Sequence, residues 1–105
     1  MENKEKNPDV TIACSLDSPQ LVKRKAELQK NIFSQAKEVI EKEDSVCFVF
    51  NASKGFSSRL VEFINLERDC CPFFWFKIDF MPHHGPITLE IGGPKEAKEM
   101  LKFLM

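Results

Sequence analysis

At 105 residues the chain is sized for one domain with its own core. Hydrophobic residues make up 43%, which argues against a disordered chain, and a net charge of -1 gives no bulk attraction for nucleic acid or an anionic membrane. No apolar run reaches the roughly 18 residues of a transmembrane helix, so no membrane span is expected.

Residues 1–8 are charged and polar and read as a disordered tail, leaving 9–105 as a single domain. The tail has no apolar stretch of the secretory type, so a cytoplasmic location is expected. There cysteines stay mostly reduced, which turns attention to metal binding or thiol chemistry. Val10-Thr11-Ile12-Ala13-Cys14 reads as a first strand, with Cys14 at its end. Ser18 is a good N-cap and Pro19 suits the first turn of a helix. Leu21, Val22, Leu28, Ile32, Phe33, Ala36, Val39 and Ile40 form an apolar stripe that carries this helix to about Glu41.

After a turn at Glu43-Asp44, Ser45 to Asn51 is apolar on both faces and reads as a central strand. A second helix runs from Ser57 to about Cys70. Phe73 to Met81 is a third strand, Pro82 to Pro86 a hairpin connection, and Ile87 to Ile91 a strand with one wet face. Pro94 opens a short last helix. The order β-α-β-α-β-β-α predicts an α+β fold, a two-layer sandwich with one mixed four-stranded sheet and its helices on one face. Phe73 and Trp75 then share the open face with Thr88 and Glu90, an interaction surface that suits a homodimer.

The chemistry concentrates at Glu67-Arg68-Asp69-Cys70-Cys71-Pro72. At about 100° per residue, Leu60, Ile64, Glu67 and Cys71 share one narrow arc, flanked by Phe63 and Cys70. Glu67 therefore projects from the buried face, one turn before two adjacent thiols. Pro72 disfavours helical geometry at Cys71 and ends the helix there. Adjacent cysteines resist a mutual disulfide, because the bond strains the peptide between them. As thiolates they suit a soft ion such as zinc, copper(I) or mercury(II), or a trivalent arsenical, with Cys14 as the natural third sulfur. A helix C-terminus carries partial negative charge and does not activate a thiol, which favours a metal over a bare nucleophile. Arg68 and Glu67 would orient such a site from its second layer. His83 and His84 are possible additional ligands in the hairpin turn. Cys47, inside an apolar strand, reads as core.

The run Glu67-Arg68-x-Cys70-Cys71-Pro72-Phe73, with Gly85-Pro86-Ile87-x-Leu89, Gly93-Pro94, Ala13-Cys14-Ser15-Leu16 and Arg24, resembles a small, largely uncharacterised bacterial domain family. Its members occur alone or beside regulators of the mercury-resistance type. The resemblance implies that Cys14, Arg24, Glu67, Arg68, Cys70 and Cys71 belong to one feature, in a heavy-metal or thiol-stress setting. The DNA-binding helices of such regulators are missing from this chain. A second resemblance, in element order, is to small sulfur carriers, although their Cys-Pro-x-Pro motif is replaced by Cys14-Ser15-Leu16-Asp17-Ser18-Pro19. Three readings follow: a soft-metal or metalloid binder, taking a metal ion or a small thiol-reactive ligand; a thiol enzyme or sulfur carrier with a covalent cysteine intermediate; and an interaction module with structural cysteines.

Overall fold

The computed structural model describes residues 18–51 and 53–101. The expected strand Val10–Cys14, the tail before it, and Cys14 itself lie outside the described residues. Helix α1 spans Pro19–Phe33, β1 Ala36–Glu41, β2 Ser45–Phe50, α2 Phe56–Cys70, β3 Trp75–Phe80 and β4 Ile87–Gly92. A 3-10 turn at Lys95–Ala97 leads into α3, Lys98–Leu101. The fold is α+β with a four-stranded sheet, as the sequence predicts. From Pro19 onward every predicted helix and strand appears in its predicted order.

Helix α1 starts where expected, with the Ser18 hydroxyl accepting from the Leu21 N–H at 3.4 Å and Pro19 in the first turn. It ends earlier than the apolar stripe predicts. Ser34 Oγ and Gln35 Nε2 both donate to the Asn31 carbonyl, at 2.9 and 3.0 Å, and so occupy an acceptor that a further helical turn would need. The chain then turns into β1, so the stretch Ala36–Glu41 expected as helix is a strand. Its Val39 and Ile40 are β-branched and suit a pleated edge. Pairing with β2 across a short turn, closed by Lys42 N–H to Ser45 O at 2.8 Å, decides the outcome.

The sheet order is β1-β2-β4-β3 and each neighbouring pair is antiparallel, which corrects the expected mixed sheet. Strands β2 and β3, joined through α2, do run in the same direction. But β4 returns by its hairpin and inserts between them, so the two never touch as a parallel pair.

Alternation sets the two faces. Val46, Phe48, Phe50, Ile87, Leu89 and Ile91 are buried on the inner face. There they join Leu28 and Ile32 of α1 and Leu60, Phe63 and Ile64 of α2 in one cluster, closed at one end by Leu101. Phe33 ties the layers together, its ring 4.7 Å from that of Phe48 and 5.3 Å from that of Phe63. Trp75, Lys77 and Asp79 on the outer face are exposed. The helices therefore cover one face, as predicted. Cys47, expected as core, lies half-buried on the outer face opposite Glu90, and burial pushes its thiol above the ordinary range.

The two long helices run antiparallel. Asn31 bonds Arg59 near one end, while Lys25 meets Glu67 near the other. The first half of α1 thus lies against the second half of α2, beside the cysteine pair.

Candidate metal centre

The predicted arc of α2 is buried throughout. Leu60 and Phe63 are fully covered, Glu67 is 4% exposed, Cys70 1% and Cys71 3%. The helix ends at Cys70, and Cys71 leaves it with φ -130° and ψ 76° while its N–H still reaches the Glu67 carbonyl at 2.6 Å. Pro72 follows, and the chain turns by an N–H from Phe74 to the Cys71 carbonyl at 3.2 Å. This ending turns the Cys71 side chain back beneath the helix, beside Glu67.

One ligand atom each from Glu67, Cys70 and Cys71 lies within 4.8 Å of the other two, and all three residues are buried. The Cys71 thiol sits 3.5 Å from the Cys70 sulfur. Cys70 stands in a disulfide, whereas Cys47 and Cys71 are free thiols. Burial foremost, and then the charge and hydrogen bond of Glu67, push the Cys71 thiol up to about 12; Lys25 opposes this weakly. A thiol held in that range is protonated at neutral pH and is a poor attacking nucleophile. A metal ion can displace that proton, which is how buried thiols become ligands.

Glu67 does not pair with the neighbouring Arg68. Its partner is Lys25 of α1, with Nζ at 3.5 Å from Oε2 and the two side chains only 17% and 6% exposed. Lys25 was missed from sequence, although its spacing held the signal. It falls four residues after Leu21 and three before Leu28, on the stripe that faces α2.

The other predicted residues are dispersed. Arg24 forms a two-pronged pair with Glu62, both contacts 2.8 Å, on the exposed flank of the helices. Arg68 points outward into the clefts between α2 and β3. His84 lies with Ser53 and Ser57 near the start of α2, whose 15 residues put about 22 Å between its ends, so it is remote from the thiols. His83 and His84 both hold positive φ, 59° and 54°, at the centre of a turn closed by Gly85 N–H to Pro82 O at 3.0 Å. Trp75 is 46% exposed on the open face, and Phe73 packs on Phe74 with ring centroids 4.8 Å apart. Among the described residues no helix is long and apolar enough to cross a membrane.

No family model, no curated protein and no solved structure matches the chain, so the reading of this site rests on its own geometry.

Proposed function

We propose that the protein, in its reduced state, binds a soft metal or metalloid ion through Cys70 and Cys71, with Glu67 as the nearest oxygen donor. The observation that carries this reading is the convergence of three buried ligand atoms within 4.8 Å. The Cys70 and Cys71 sulfurs are already 3.5 Å apart, near enough to share one ion once Cys70 is reduced. Counting Cys14, three thiolates and the Glu67 carboxylate outweigh a divalent ion and the Lys25 ammonium by one charge, and balance a trivalent ion and that ammonium.

Cys14 is the third sulfur in this reading. It precedes the α1 cap Ser18 by four residues, a reach of about 13 Å. The start of α1 in turn lies against the cysteine end of α2. Reduction is required, because a disulfide sulfur at Cys70 is not a thiolate ligand. Coupling of metal binding to reduction fits a heavy-metal or thiol-stress role.

The test is a competition titration against a chromophoric chelator, in the presence of a non-thiol phosphine reductant. The reduced protein takes one zinc ion per chain. Cys70→Ser and Cys71→Ser each abolish binding, Glu67→Gln weakens it, and the unreduced protein does not bind. Unchanged binding in both serine variants would overturn the proposal.

A further inference from the structure

A separate feature lies on the outside of α2. Ile64 and Arg68 of the helix face Phe74, Trp75, Phe76 and Ile78 across a cleft of about 490 Å³. Strand β3 is at the sheet edge, so nothing among the described strands closes that side. Five of the six walls are apolar, three of them aromatic. The sixth is a guanidinium that makes no hydrogen bond or ion pair with any described residue. A neighbouring cleft, lined by Asn65, Asp69 and Pro72, shares Arg68 and Phe74 with the first.

An apolar cavity of this size with one convergent charged group has the make-up of a small-molecule site. Arg favours carboxylates, which accept two parallel N–H bonds from its fork. The flat rings beside it favour an apolar or aromatic body. We propose that this cleft binds a small organic carboxylate, its anionic end on Arg68 and its apolar body against Phe74, Phe76 and Ile78. The site does not depend on the metal reading, since none of the three buried ligand residues lines it.

The test uses the full-length, metal-free, isotope-labelled protein in two-dimensional amide NMR. The probes are 4-phenylbutyrate and its uncharged counterpart 4-phenylbutan-1-ol. The acid shifts the amides of Ile64, Arg68 and Phe74 to Ile78, and binds about tenfold more tightly than the alcohol. In Arg68→Gln the acid falls to the level of the alcohol. That variant alters an exposed side chain, so its fold is retained. Three results would overturn the proposal. Neither probe shifts these amides; or the preference for the acid survives Arg68→Gln; or these amides broaden with protein concentration and resist both probes, which would mark the cleft as a contact with a second copy of the chain.

Discussion

Replacing Lys25 by Met probes the electrostatics of the candidate site most sharply. Methionine keeps the length and apolar stem of lysine but removes its charge, so packing against α2 is largely preserved. What is lost is the described partner of a carboxylate that is only 4% exposed. Breaking a fully buried pair in this way costs about 3–5 kcal/mol. Lys25 is 17% exposed and its ammonium sits 3.5 Å from the carboxylate, so water already shares the charge. We therefore expect a loss of about 2 kcal/mol. With a urea slope of about 1–1.5 kcal/mol/M, the unfolding midpoint falls by about 1.3–2 M. The double variant Lys25→Met, Glu67→Gln recovers most of that loss, because the stranded charge is gone. A midpoint shift below about 0.3 M in Lys25→Met, or a double variant no more stable than that single one, would refute the ion pair as drawn.

Four further outcomes are expected. Burial pushes both free thiols up, but Cys71 is 3% exposed and held at about 12 whereas Cys47 is only half-buried, so iodoacetamide labels Cys47 first in the native protein, and intact mass with peptide mapping reads the order. The same shift has a stability sign: the folded state holds a proton the unfolded chain loses above pH 9, so this contribution is complete below pH 9 and lost as pH rises toward 12, and Cys71→Ser flattens that limb of the stability profile. A Cβ at Gly92 would collide with the Trp75 ring, so Gly92→Ala displaces the indole; as Trp75 is the only tryptophan, its emission shifts to the red, while stability changes by no more than about 0.5 kcal/mol because the exposed ring can swing aside. Since two consecutive histidines hold positive φ in the hairpin turn, His83→Gly raises stability by a few tenths to about 1 kcal/mol and leaves metal stoichiometry unchanged; a loss of metal would instead make the turn part of the site.

The parts of the fold that were legible in the sequence are those where local rules act alone. Ser18 and Pro19 mark a helix start by chemistry that needs no tertiary partner, and Pro72 stops α2 in the same way. The arc from Leu60 to Cys71 follows from helical spacing, and it is buried as that spacing requires. The segment Ala36–Glu41 shows where such rules run out. Its apolar residues extend the stripe of α1, yet they also suit a strand, and pairing with β2 selects the strand. The all-antiparallel order was hidden for a related reason, because nothing local to β4 says which strand it will insert beside. At the site, adjacency announced the cysteines and periodicity announced Glu67. The counter-charge came from another helix, and its identity depended on the register in which α1 and α2 pack.

The most direct measurement is the native mass of the full-length protein, reduced without thiols under anaerobic conditions and offered one equivalent of zinc, with the denatured mass taken on the same sample. We predict one added zinc per chain, lost on denaturation and absent from Cys70→Ser and Cys71→Ser. A reduced wild-type protein that stays at its bare mass with zinc, copper(I), mercury(II) and trivalent arsenic alike would contradict the metal-binding account.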